Sequence, residues 1–386
     1  MRFLAVLALM MVCAGGAWAQ SRTTIIEYDD KGRPTGANTR QGGSNATAPA
    51  RGPATNRNQP RAIDNELIVT NAPADFENSV GGLGFRIVEK IGLRALDMTV
   101  YRLRIPPQSN ADDAKAALGR RYPGIVADVN HLYDPSQANE SLRSGSLARD
   151  MAGWEQVPET CGKGLKLGSI DGFVDEKHPA FTNRTVRFRN FHRENLPPGA
   201  ASHGTAVAAL LVGHPANRGF GGLLPGATLY AANMFEQDGG QDSGNAVGFL
   251  KALDWMAEEK VHVVNMSIAG PDNTVVKLAV EKAKRNGLVM VAAAGNWGTA
   301  DRPAFPGAYP AVIAVTAIDD KKLVYQDANR GDYVAFAAPG VKVWTAIPGG
   351  GKFQSGTSFA APFVTAQIAL DIAKGAERDA NAIKAR

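Results

Sequence analysis

Four polar side chains stand at the ends of separate apolar segments. Asp171 closes "LKLGSID", His203 opens "SHGTAVAALL", Asn296 closes "VMVAAAGN", and Ser358 lies at the start of the apolar part of "QSGTSFAAPF". A serine hydroxyl is a weak nucleophile at neutral pH. It needs a base to take its proton, and the base needs a group to orient it. Imidazole suits the first task because its ordinary pKa lies near the working range. A carboxylate suits the second, and acyl transfer also needs donors aimed at the developing oxyanion. Asp171, His203, Asn296 and Ser358 supply all of these. Taken singly, each has a plainer use: a strand-end aspartate caps a turn, a serine before a helix caps the helix, "AGN" makes a turn, and a lone histidine is structural. His131, His178, His192, His214 and His262 are read in that plainer way, and Ser355 and Thr357 as turn residues supporting Ser358.

The elements that must bring the four together are visible as alternation. From Met151 onward the apolar runs "LKLGSID", "ATLYAANMF", "VHVVNMSIAG", "GLVMVAAAGN" and "AVIAVTAID" read as strands. Between them lie helical patterns. "SGNAVGFLKALDWMAEEK" has Ser243 as expected N-cap and Val247, Leu250, Leu253 and Ala257 on one face. "TVVKLAVEKAKRNG" ends in basic residues, with Gly287 closing it. Continuous apolar strands alternating with amphipathic helices imply an α/β fold with a mainly parallel, doubly wound sheet covered on both faces. Functional groups collect at the carboxyl ends of such strands, where Asp171, Ser267 and Asn296 fall. A smaller α/β unit precedes it over residues 61–134, with a helix at "NADDAKAALGRRY" capped by Asn110. Residues 20–60 are polar and lack apolar periodicity, as a disordered linker would, and 135–150 read as a second linker.

Over about residues 151–370 the sequence resembles the subtilisin-like serine proteases. "SIDGFVD" is similar to that family's aspartate segment, "HGTAVAAL" to its histidine segment, "AAAGNWG" to its oxyanion segment and "SGTSFAAP" to its serine segment, in the family's order. The resemblance implies a catalytic domain over 151–386 in which Asp171, His203 and Ser358 form the triad and Asn296 the oxyanion donor. It further implies that Ser267, Ile268, Ala269 and Gly270 form a strand pairing with the substrate main chain, in the manner of strand addition. Ala293, Ala294 and Gly295 would wall a first specificity pocket roomy enough for a large apolar or aromatic residue. Residues 61–134 resemble the family's ferredoxin-like pro-domains, which act as intramolecular inhibitors until cut. Tyr133 is the residue expected to enter the pocket, with cleavage after it or between Asp134 and Asp150. The sequence departs from the family at Gly172-Phe173, where a hydroxyl residue often follows the aspartate, and at 214–220, which carries no carboxylate, so neither metal nor other cofactor is expected. A non-catalytic peptide-binding scaffold and a protease that cuts only its own pro-domain are the alternatives.

Composition sets the frame. The chain has 386 residues, enough for two domains. Its net charge of +5 is spread without a basic block, which argues against a nucleic-acid partner. Residues 1–19 combine Arg2, an apolar run from Phe3 to Val12, and Ala17-Trp18-Ala19. This is the pattern of a cleavable leader, and the run is too short to span a bilayer. The expectation is therefore export, to the periplasm or the medium, with polypeptide substrates and no membrane attachment after leader removal. Cys13 would leave with the leader, so Cys161 is expected to have no intrachain partner.

Overall fold

A computed structural model describes residues 60–135, 148, 151–154, 157–214, 220–238 and 240–385, together with the backbone of three short strands, Phe3–Ala8, Thr23–Tyr28 and Pro34–Thr35. The remainder of the expected leader and first linker, most of the 135–150 linker, and residues 215–219 of the loop read as lacking metal ligands lie outside the described residues.

The larger unit is built on a parallel sheet. Its strands run in the spatial order Val334–Pro339, Ile313–Ile318, Val289–Ala293, Val263–Met266, Lys166–Asp171, Thr228–Asn233 and Thr185–Asn190, each pair parallel. The three N-terminal strands continue this sheet beyond Val334–Pro339. Successive side chains of a strand face opposite ways, and the core divides accordingly. Val263, Val289 and Val291 join one apolar cluster with the helices Ala201–Val212 and Thr357–Ala373. Val264, Met290 and Ala292 join another with the helices Ala246–Glu258 and Thr274–Arg285. Burial on both faces is why these strands are apolar throughout.

The first strand of the unit, Lys166–Asp171, lies inside the sheet. From it the chain builds toward Thr185–Asn190 and Thr228–Asn233 on one side, then crosses to Val263–Met266 on the other. The winding reverses between Lys166–Asp171 and Val263–Met266, and the carboxyl ends of those strands open a crevice there.

Two local readings change. The helix expected from Ser243 starts at Ala246, and Asn245 is its cap, accepting from Gly248 N–H at 3.0 Å. Residues Gln241–Asn245 are instead a strand. Cys161 is buried and disulfide-bonded, not the solitary thiol expected. The sequence's other cysteine, Cys13, lies outside the described residues.

The smaller unit runs strand Ala62–Thr70, a short helix Phe76–Ser79 with a tighter turn Val80–Leu83, strands Arg86–Leu93 and Met98–Arg104, helix Ala111–Arg121 and strand Val126–Pro135. Asn110 caps the second helix, accepting from Asp113 N–H at 2.9 Å. The four strands are antiparallel, with Ala62–Thr70 and Met98–Arg104 inside and Arg86–Leu93 and Val126–Pro135 outside. This β-α-β-β-α-β order is ferredoxin-like.

The two units meet through polar caps. Asp128 Oδ2 accepts from Thr274 N–H (2.9 Å) at the start of Thr274–Arg285. Across the same interface Lys251 donates to Glu89 (2.5 Å), which also takes Arg102. Asn273 Oδ1 accepts from Val275 and Val276 N–H, so its amide nitrogen is the donor to His131 Nδ1 at 2.9 Å. His131 must therefore be neutral, with its proton on Nε2.

Burial lowers the His131 pKa below its ordinary 6.5, against the opposing pull of Asp128 and Asp272 and with a smaller contribution from Lys115 in the same direction. A histidine whose pKa falls on docking takes up protons more readily when undocked. The docked state therefore keeps its full stability above about pH 6.5 and loses it as the pH drops toward the lowered value. Hydrogen exchange at Val126–Pro135 and Thr274–Val276 should speed up between pH 7.5 and pH 5 by more than the intrinsic change. His131→Gln, which does not titrate, should remove that excess. Equal protection at both pH values would contradict the assignment.

Candidate active site

Asp171 ends its strand with the carboxylate turned inward and 2% exposed. Oδ1 accepts from Gly172 N–H at 2.5 Å and bonds His203 Nδ1 at 2.6 Å. Because a carboxylate only accepts, Nδ1 carries a proton, and in the neutral ring Nε2 is then the nitrogen with the lone pair. Asp171 Oδ2 and His203 Nε2 are buried and have no hydrogen-bond partner among the described residues. The missing partner on Oδ2 agrees with Gly172 standing where a hydroxyl residue is common.

His203 is the third residue of Ala201–Val212. The helix reaches Asp171 because Gly204 follows it. A methyl group at Gly204 would collide with the carbonyl oxygens of Gly172 and Phe173, so helix backbone and loop backbone touch directly. The imidazole ring packs 5.5 Å from the ring of Phe359, the residue after Ser358.

Ser358 is the second residue of Thr357–Ala373 and is completely buried. The preceding Gly356 has φ 144°, a conformation that side chains strongly disfavour. The hydroxyl of Ser358 donates to the carbonyl of Ser267 at 3.1 Å, so in this structure it does not reach His203 Nε2. Resting catalytic hydrogen bonds are commonly open in this way and close on substrate.

Asn296, half-buried, follows the strand Val289–Ala293 and the pair Ala294-Gly295. Thr357 orients it. The backbone N–H and hydroxyl of Thr357 both donate to Asn296 Oδ1 (3.1 and 3.0 Å), and the same hydroxyl accepts from Gly295 N–H at 3.2 Å. With Oδ1 so engaged, the amide nitrogen is the group's donor. Thr357 is thus more than a turn residue. Its spacing alone, one before Ser358, did not reveal this. Ser355 keeps a turn role, accepting from Lys342 N–H at 3.0 Å.

The strand of the smaller unit runs into this crevice. Asp134 pairs with Ala269 and Pro135 with Ile268, antiparallel, while Tyr133 and Leu132 pair with Gly244 and Asn245 on the other side. Of the four residues expected to pair with a substrate chain, Ile268 and Ala269 pair with this strand of the chain itself. Gly270 does not, because its N–H and carbonyl are both taken by Phe305 (2.8 and 3.0 Å). Ala293 and Ala294 are fully buried. Tyr133, read as the residue entering the pocket they would wall, has its contacts on the facing strand and on the helix Ala246–Glu258. Its ring lies against Gly270, where any side chain would collide with it, and stacks on Phe249 at 6.0 Å.

Comparison with known proteins agrees with this geometry. Residues 162–385 match the model of the Subtilase family, more than half of the chain, and the chain belongs to that family. It is 32% identical over 219 residues to subtilisin E of Bacillus subtilis (strain 168), covering 55% of this chain and 56% of that protein. It is 30% identical over 251 residues to an intracellular serine protease of Paenibacillus polymyxa, covering 62% of this chain and 75% of that protein. In structure it is similar to fervidolysin from Fervidobacterium pennivorans, with a TM-score of 0.66 at 20% identity, over 83% of this chain and 56% of that one. The match thus spans little more than half the length of the subtilisins. The fold is the subtilisin-like α/β fold.

Gly204→Ala should force the histidine helix off the loop after Asp171 and cost about 1–3 kcal/mol in stability. A lower denaturation midpoint with disruption of the Asp171–His203 bond, seen as loss of the downfield imidazole proton resonance, is the expected result. An unchanged midpoint and resonance would show that the backbone contact does not position His203.

Proposed function

We propose that the chain is the precursor of an exported serine endopeptidase acting through Asp171, His203 and Ser358. Ser358 Oγ swings from the Ser267 carbonyl and attacks a peptide carbonyl carbon, and its proton passes to His203 Nε2. Asp171 holds the imidazolium through Nδ1–H. The oxyanion is met by the N–H of Ser358 and the amide nitrogen of Asn296. The C–N bond then breaks as Nε2 gives its proton to the leaving amine, leaving an acyl group on Ser358. Water, deprotonated by the same nitrogen, releases the acid and restores the hydroxyl. The observation that carries this reading is the buried 2.6 Å Asp171–His203 pair whose Nε2 has no partner among the described residues. Export is read from the leader pattern of residues 1–19.

The smaller unit acts on this reading as an intramolecular inhibitor, and polypeptides are the substrates. Its last strand already makes the strand-addition contact with Ile268–Ala269 that a substrate would make. That register also moves the processing site. Pro135 is still paired with Ile268, one residue short of Ser267, whose carbonyl takes the Ser358 hydroxyl, and this supports a cut beyond Pro135 and not after Tyr133. Tyr133 is then an anchor a few residues before the cut. Because the strand covers the crevice, the intact chain acts first on itself.

A fluorophosphonate probe should label the processed wild type and leave Ser358→Ala unlabelled. Lack of labelling after confirmed removal of residues 61–135 would favour a non-catalytic peptide-binding scaffold. Labelling without cleavage of any added polypeptide would favour a protease confined to its own chain. Asn296→Ala should retain the fold and lose roughly 10²–10³ in rate, as loss of one side-chain oxyanion donor does in related serine proteases. Mass spectrometry of the released small unit should give a C-terminus beyond Pro135, and a terminus at Tyr133 would refute the register argument.

The anchor is tested separately. The Tyr133 hydroxyl is buried with no hydrogen-bond partner among the described residues, and burial raises its pKa. Tyr133→Phe removes an unsatisfied polar group and should hold the small unit at least as tightly. Tyr133→Ala should weaken it by about 3–5 kcal/mol. Inhibition constants of the two variant units against the processed enzyme would measure both.

A further inference from the structure

Behind the nucleophile lies a buried chain of hydrogen bonds that the triad and the oxyanion donors do not use. Thr365 Oγ1 donates to Asn265 Oδ1 at 3.0 Å, and Asn265 Nδ2 donates to Ser267 Oγ at 2.9 Å. Ser267 Oγ donates in turn to the backbone carbonyl of Ser358 at 2.9 Å. All four residues are completely buried. The direction of every bond is determined. An amide nitrogen can only donate and a carbonyl can only accept, so the Ser267 proton has nowhere else to go.

The Ser358 carbonyl needs this donor for a specific reason. In a helix it would take the N–H of the residue four positions on. That residue is Pro362, which has no N–H and lies inside Thr357–Ala373. A carbonyl left open in a fully buried helix costs free energy unless another donor meets it. Ser267 is that donor. It comes from the loop after Val263–Met266, the strand beside Lys166–Asp171, which ends in Asp171. Thr365, two turns along the same helix, closes the strap from below. The helix is therefore tied to the sheet by a side-chain hydroxyl at the one peptide unit that carries the nucleophile.

We propose that Ser267, backed by Asn265 and Thr365, is a positioning residue for Ser358. It sets the tilt of the Ser358 peptide, and with it the direction of the Ser358 Oγ toward His203. This extends the role read from sequence, in which Ser267 served only as part of the substrate-pairing strand. The inference rests on the serine peptidase reading above.

The test uses the full chain and its first-order rate of self-cleavage, which contains no binding step. Ser267→Ala should slow cleavage about 10–100-fold, the cost of a small misplacement of a reacting group, with the melting temperature lowered only modestly. Ser267→Ala combined with Pro362→Ala returns an N–H to the Ser358 carbonyl from within the helix, and should recover at least fivefold of the lost rate. A merely structural role predicts no such recovery. Thr365→Val, which removes the far end of the strap, should slow cleavage several-fold, and it decides the matter should Ser267→Ala fail to fold. Cleavage by Ser267→Ala within twofold of wild type, absence of recovery in the double variant, or an unaffected Thr365→Val would each overturn the proposal. A wild-type chain that neither cuts itself nor takes up the fluorophosphonate probe would instead overturn the peptidase reading.

Discussion

The buried bond between Asp171 and His203 is the constraint on which the rest of the site depends. A carboxylate taken out of water is costly unless it is paired and hydrogen-bonded, and this one has Gly172 N–H and His203 Nδ1 on a single oxygen. The pair forms only if a helix comes into backbone contact with the loop after the strand, which Gly204 allows. Once His203 is in place, its ring rests on Phe359 and so locates the start of the second helix. Both helices lie on the same face of the sheet and share one apolar cluster. The position of Ser358 thus follows from a chain of contacts that begins at one carboxylate.

The second helix shows how local irregularities serve the site. Gly356 turns the chain in a conformation other residues avoid, so that Thr357 and Ser358 sit in the first turn, where backbone N–H groups lack helical partners and the dipole favours negative charge. Thr357 spends its donors on Asn296 Oδ1, which settles the orientation of that amide. Pro362 stands at the sixth position of the helix, beyond the first turn, and removes a bond that Ser267 replaces. Each departure from a regular helix is met by a side chain arriving from a strand end of the sheet.

The smaller unit is held by the same physics at another edge. Its last strand offers Asp128 to the start of one helix and pairs its backbone with Ile268–Ala269. Acceptors at helix starts and strand addition at an open edge are strong because they satisfy groups that are otherwise unpaired. Tyr133 adds buried aromatic area against Phe249 and Gly270. These contacts make the crevice the natural resting place of the chain's own strand.

The sequence by itself determined the parallel sheet, because strands buried on both faces must be apolar throughout, and "VHVVNMS", "GLVMVAAAGN" and "AVIAVTAID" have no other reading. It also determined which side chains are candidates, because Asp171, His203, Asn296 and Ser358 stand at strand ends and helix starts in one order. It did not reach the edge strand Thr185–Asn190, whose half-exposed residues alternate with polar ones, nor the strand Gln241–Asn245, whose polar and glycine residues show no apolar alternation although it forms a hairpin with Phe235–Asp238 and also pairs with Leu132 and Tyr133. The tertiary structure alone decided how Thr357 aims Asn296, that Gly270 belongs to Phe305, where Tyr133 goes, and that Ser267 replaces the bond Pro362 lacks. Periodicity reports which face of an element is buried. It carries no record of which hydrogen-bond donor, from which distant segment, meets which acceptor, and in a buried site that pairing is what places the reacting atoms.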